Sequence, residues 1–118
     1  MAMGRTQSVG KWGEDQACAF LRRNGFYIIE CNYHATVGEI DIVATKGGDY
    51  YFLEVKTRRA GEMSFDTAVT YQKKRKLLKT IKHYCYHKKV IGSIIPASLM
   101  VVFNKITKIV QFRLAVIY

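Results

Sequence analysis

Residues 39–58 read EIDIVATKGGDYYFLEVKTR, and their interpretation decides the fold. Two runs rich in β-branched and aromatic residues flank Gly47-Gly48, a dipeptide suited to the positive φ angles of a tight hairpin turn. With those glycines as the loop, cross-strand partners carry residue numbers that sum to 95. Asp41 then lies opposite Glu54 and Glu39 opposite Lys56, and the alternation of a strand aims all four at one face. A four-residue loop from Lys46 to Asp49 keeps this register. A three- or five-residue loop shifts it by one and disperses the group.

Two carboxylates directly across a ladder repel and destabilise a hairpin by up to about 1 kcal/mol. A divalent cation between them offsets that cost, since Mg²⁺ is commonly held by one or two carboxylates and keeps its other positions for water and phosphate oxygens. Lys56 projects from the same face roughly 7 Å beyond Glu54, within reach of an attacking water or a developing phosphate charge. The alternative is a solvated hairpin face, on which Glu39–Lys56 is a surface ion pair of little energetic weight. Val43 and Phe52, which share the face, argue for partial burial.

Outward from the hairpin, the pattern predicts a helix from about Val9 to Asn24, ending at Gly25 with Arg22 and Arg23 in its last turn. Gly10 and Gly13 weaken the start of that helix and mark where something comes close. Phe26 to His34 reads as the first strand, Glu39 to Thr45 as the second and Tyr50 to Thr57 as the third. Asp66 or Thr67 caps a long helix from about Ala68 to His87, whose apolar stripe is Leu77, Leu78, Ile81, Tyr84 and Cys85. After a turn region, Gly92–Pro96, come strands at Ser98 to Phe103 and Ile109 to Ile117. The order α-β-β-β-α-β-β makes an α/β domain, one mixed sheet covered by helices, with residues 1–118 as a single domain.

Charge divides the chain. Residues 1–66 hold 8 Lys/Arg and all 9 Asp/Glu, whereas residues 67–118 hold 11 Lys/Arg and no acid, for a net charge of +10. A wholly basic second half suits a polyanion, nucleic acid before an anionic membrane surface or an acidic protein partner. Lys73, Lys74, Arg75, Lys76, Lys79 and Lys82 crowd the second helix, and Arg58 and Arg59 follow the third strand. Such contacts to phosphate are sequence-independent and weaken with salt. Trp12, Tyr33 and His34 offer rings that either stack on bases or pack internally. His83 and His87 lie one helical turn apart, with no acid near them to complete a zinc site. Cys18, Cys31 and Cys85 lack metal-type spacing and read as buried thiols of a reducing compartment. Without a leader-like opening or a long apolar run, the expectation is a cytoplasmic protein with no membrane partner.

The segments GEIDIVA and FLEVKTR resemble the YraN-type endonuclease-like family, within the restriction-endonuclease-like group marked by D…(D/E)xK. The resemblance continues in GKWGEDQACAFLRRNGFYIIECN at the first helix and strand and in AVTYQKKRKL at the basic helix, where Lys73 matches a family lysine. It implies a central mixed sheet of four or five strands flanked by helices, like that of archaeal Holliday-junction resolvases. It also implies a DNA endonuclease dependent on Mg²⁺ or Mn²⁺, acting on branched or structured DNA. Asp41 and Glu54 are then metal ligands, Lys56 orients the nucleophilic water, and the backbone carbonyl of Val55 completes the coordination. Glu14 matches a helix glutamate that reaches towards the same metal. By position alone it is either that or a first-turn acid favoured by the helix dipole. Related resolvases work as dimers, so a homodimer is implied as well. Two positions depart from the family pattern. His34 replaces an arginine, and PASLMVV replaces an Arg-Phe-Asp in the fourth strand; a nucleic-acid-binding module with little catalysis is the reading those departures favour.

Overall fold

A computed structural model describes residues 6–61 and 71–117. The order is α1 (Thr6–Arg23), β1 (Tyr27–Ala35), β2 (Gly38–Lys46), β3 (Asp49–Arg59), α2 (Tyr71–Lys88), β4 (Ile94–Phe103) and β5 (Val110–Val116). The five strands form one sheet in the order β1-β2-β3-β4-β5. Only the β3–β4 pair is parallel, because α2 carries the chain back across the sheet between them. The expected mixed α/β fold is therefore present. The caps Asp66 and Thr67, and the expected helix start at Ala68, lie outside the described residues.

The sheet has two covered faces, as strand alternation demands. On one, Ala17, Cys18 and Leu21 of α1 pack on Ile42, Ala44, Leu53, Ala97, Leu99 and Val101. On the other, Leu77, Ile81 and Tyr84 of α2 pack on Ile40, Val43 and Phe52. The predicted stripe of α2 is thus its buried face, and Phe52 meets Tyr84 edge-on at 5.6 Å. No helix among the described residues is long and apolar enough to cross a membrane.

Gly13 explains how α1 approaches β3. A Cβ there would collide with the Thr57 side chain, so only glycine allows the helix this near the strand. Gly10 has nothing of the kind around it, and the close approach expected there is absent.

One strand boundary and one thiol differ from expectation. β4 starts at Ile94, so Pro96 lies inside a strand rather than in a turn. Its carbonyl accepts from Ile117 N–H at 2.8 Å, beyond the last ladder pair with β5, where a missing donor costs no regular hydrogen bond. Cys18 is buried and Cys85 half-buried, but Cys31 is exposed on β1, an edge strand. The Cys18 and Cys31 sulfurs are 3.8 Å apart.

Candidate functional site

The hairpin register is the expected one at its turn. Gly47 and Gly48 take φ of 60° and 84°, and the ladder runs Lys46–Asp49, Thr45–Tyr50, Ala44–Tyr51, Val43–Phe52 and Ile42–Leu53. There it stops. Continued in register, Ile40 would exchange hydrogen bonds with Val55. Instead the Val55 N–H donates to Asp41 Oδ2 at 2.7 Å, and a side-chain carboxylate replaces the backbone acceptor. The expected cross-strand pairs Asp41–Glu54 and Glu39–Lys56 are therefore not ladder pairs.

The strands part where the pleat of β1 and β2 inverts. Cys31 and Ile42 are partners on the α1 side, with the Cys31 sulfur beside that of Cys18. Two residues along, Tyr33 and Ile40 are partners on the α2 side, where the Tyr33 hydroxyl meets His83 Nδ1 at 2.8 Å. Asn32, at φ 55°, absorbs the inversion in β1. Asp41 occupies the matching level of β2, between the two covered faces rather than on one.

This position gives Asp41 neighbours from every side. It lines a cavity of about 490 Å³ with Glu39, Glu54, His34, Lys73 and Lys76. It also lines a second, of about 390 Å³, with Glu14, Val55, Lys56, Arg58 and Lys73. Burial pushes the Asp41 carboxyl up to about 6, the Val55 hydrogen bond opposes this, and the charges of Glu14, Glu54 and Glu39 push it higher. Because N–H and C=O of one strand residue point to the same edge, the Val55 carbonyl faces the same gap as Asp41.

Lys56 is only 10% exposed, and its ammonium lies 4.0 Å from Glu54 Oε1, so the pair shares a face as alternation requires. Lys56 thus partners Glu54 and not Glu39. Glu39 turns outward instead, 3.5 Å from His34 Nδ1, with both side chains about two-thirds exposed. Glu14 lies well inside α1, which begins at Thr6 and has no acid in its first turn. The dipole explanation for Glu14 therefore fails, and the helix delivers its carboxylate to the Asp41 cavity. Among the described residues, no three His, Cys, Asp or Glu side chains stand close enough to hold a metal by themselves. Two carboxylates, a carbonyl and water meet the needs of Mg²⁺, and the crowding of negative charge on Asp41 is what a cation would relieve.

Of the expected nucleic-acid contacts, Lys73 and Lys76 border the acidic cavity directly. Arg58 and Arg59 line a neighbouring pocket with Val9, Trp12, Thr57, Phe103, Lys105 and Lys108. Tyr33 packs edge-on against Tyr84 at 4.9 Å and is internal, whereas His34 stands at the cavity wall. Lys105 and Lys108 carried no individual signal beyond the basic composition of the second half.

Comparison with known proteins matches residues 13–117 to the model of "Uncharacterised protein family UPF0102". A UPF0102 protein of Desulfitobacterium hafniense (strain Y51) is 35% identical over 79 residues, 66% of this chain and 65% of its own length. One from Legionella pneumophila (strain Paris) is 38% identical over 82 residues, covering 67% and 68%. One from Alkaliphilus metalliredigens (strain QYMF) is 39% identical over 88 residues, covering 74% and 77%. The chain spans 65% of the length of the Desulfitobacterium relative it matches. Because the family match takes in all five strands, α2 and most of α1, including Glu14, Asp41, Glu54 and Lys56, the chain belongs to family UPF0102, the YraN-like group its motifs resemble.

Proposed function

We propose that this protein is a metal-dependent DNA endonuclease, hydrolysing phosphodiester bonds with Mg²⁺ or Mn²⁺ at Asp41. The observation that carries the reading is the opening of the β2–β3 ladder. It gathers the Asp41 carboxylate and the Val55 carbonyl edge, with Glu54 and Glu14 from neighbouring elements, beside a nearly buried lysine. Asp41 and Glu54 would hold the ion, with the Val55 carbonyl and Glu14 or its water completing the set. Bound there, it would supply Lewis acidity towards a phosphate oxygen and acidify an attacking water.

The chain's own groups do the rest. Val55 N–H fixes the orientation of Asp41, so that one oxygen is held in place. Lys56, kept beside Glu54 in a confined site, orients the attacking water and stabilises charge that develops on the phosphate. Lys73 and Lys76 at the cavity wall, with Arg58 one pocket along, hold the strand through its phosphates. The test is incubation with branched, flapped and linear DNA plus Mn²⁺ or Mg²⁺, alongside Asp41→Asn and Lys56→Ala. Cleavage that both substitutions abolish supports the reading; cleavage that survives them refutes it.

One observation favours a second reading, a binding module with little turnover. β4 sets neutral Ser98 and Met100 against Glu54 and Lys56. Salt-sensitive DNA binding without cutting is its signature.

A further inference from the structure

The pocket beside the acidic cavity has a chemistry of its own. Its volume is about 500 Å³, and its lining combines two aromatic rings with four cationic side chains, Arg58, Arg59, Lys105 and Lys108. Trp12 and Phe103 meet edge-on, with centroids 5.6 Å apart and planes at 76°, and both are half-buried. Ordinary core packing accounts for the inner sides of these rings, since Trp12 rests on the α1-side core. It does not account for a ring of cations around an apolar cleft.

Arg58 adds an independent sign. Its Nη1 donates to the Thr57 carbonyl at 2.9 Å, but its Nε is buried without a hydrogen-bond partner. A buried donor of a charged group is ordinarily satisfied, so this one calls for an anionic acceptor. Arg58 also lines the cavity that holds Asp41, Glu14 and Lys56, as do Val9 and Thr57, so the two spaces adjoin.

We infer that this pocket, formed by Trp12, Phe103, Arg58, Arg59, Lys105 and Lys108, seats one unpaired nucleotide of a nucleic-acid strand, its base against the aromatic rings and its phosphate on the arginines and lysines. Aromatic surfaces take any base face, and cations around them take the backbone, which is how single strands are gripped without sequence preference. A base inside a duplex stays stacked and paired, and cannot enter without being extruded. Resting on the nuclease reading above, this assigns the substrate class. It is nucleic acid with an unpaired segment next to the scissile phosphate, a flap or a branch, in preference to continuous duplex.

Trp12 is the single tryptophan of the chain, so its fluorescence reports this pocket directly. The full chain, with chelator present to exclude metal, is titrated with a ten-residue oligothymidylate, a blunt duplex of equal length, thymidine monophosphate and inorganic phosphate. The single strand should quench Trp12 saturably, and Arg58→Ala should raise its Kd about tenfold. The double variant Lys105→Ala/Lys108→Ala, which changes only exposed loop residues, should also weaken quenching. Lys88→Ala, at the end of α2 beside Glu30 of β1, should leave the Trp12 signal at the wild-type level.

Equal quenching by the duplex, or strand binding by anisotropy with unchanged Trp12 emission, would overturn the inference. So would a monophosphate binding as tightly as the strand, which would make this a free-nucleotide site, or inorganic phosphate reproducing the whole signal. Quenching without Mn²⁺-dependent cleavage sinks the nuclease reading and leaves the pocket standing. Cleavage without quenching does the reverse.

Discussion

The two ends of the β2–β3 hairpin are built from the same strands but differ in every physical respect. At the Gly47–Gly48 end the ladder is regular, and its side chains alternate between two cores. At the Asp41 end the ladder is broken, a carboxylate bonds to backbone, and acids from three elements crowd one another. The first end supplies stability that the second gives up. Confining like charges is unfavourable unless something binds there, so a site of this kind needs a rigid frame next to it.

The sharpest way to break this contrast is to damage the closed end. Phe52 is fully buried, and Phe52→Ala should lower unfolding free energy by about 3–5 kcal/mol, read from urea denaturation. If the loss is no larger than that of a surface substitution, the closed end is not the frame. At the open end the effects should fall on cleavage instead. Lys56→Ala should slow it about a hundredfold or more, about 3 kcal/mol of barrier, while thermal unfolding shows a folded protein.

Asp41 sharpens the comparison through pH. Its carboxyl stands at about 6 in the folded chain against an ordinary 3.8, so the folded state holds the proton more tightly than the unfolded state does. Stability in the absence of metal should therefore be full below about pH 4 and decline until about pH 6, staying lower above it. The shift sets a ceiling of about 3 kcal/mol, and partial solvent access reduces the expected change to about 1–2 kcal/mol. Asp41→Asn should erase this slope, making the variant more stable than the parent at pH 7.5 and equal to it at pH 4. Mn²⁺ at pH 7.5 should stabilise the parent and not the variant. A parent whose stability is flat between pH 4 and 7 would show that Asp41 is not under this stress.

The smallest effect belongs at the turn. Gly48 has φ of 84°, and Gly48→Ala should cost about 1 kcal/mol with no change in cleavage per folded molecule. A matching loss of activity would mean that the two ends are coupled through the register.

Much of the frame was legible in the residues because it rests on local rules. Gly47-Gly48 can turn tightly, so the register followed from it, and the helical spacing of Leu77, Ile81 and Tyr84 identified the buried face of α2. Even so, Pro96 looks like a turn residue in the sequence but lies inside β4, because a proline just beyond the last β4–β5 ladder pair costs little. The site was half legible. Alternation placed Glu54 and Lys56 together, but it assumes an unbroken ladder and so set Asp41 and Glu39 opposite the wrong partners. Nothing local signals where two strands separate.

What the chain alone determined is what depends on neighbours in sequence: the strands and helices, the turn, the acidic first part and the basic second. Only the tertiary structure decided that α1 brings Glu14 to Asp41, that α2 sets Lys73 beside both, and that Trp12 and Phe103 meet near Arg58. These residues are far apart along the chain, and no local propensity links them. They come together because two helices must bury their apolar faces on opposite sides of one sheet, and the polar residues at the margins of those faces are carried along.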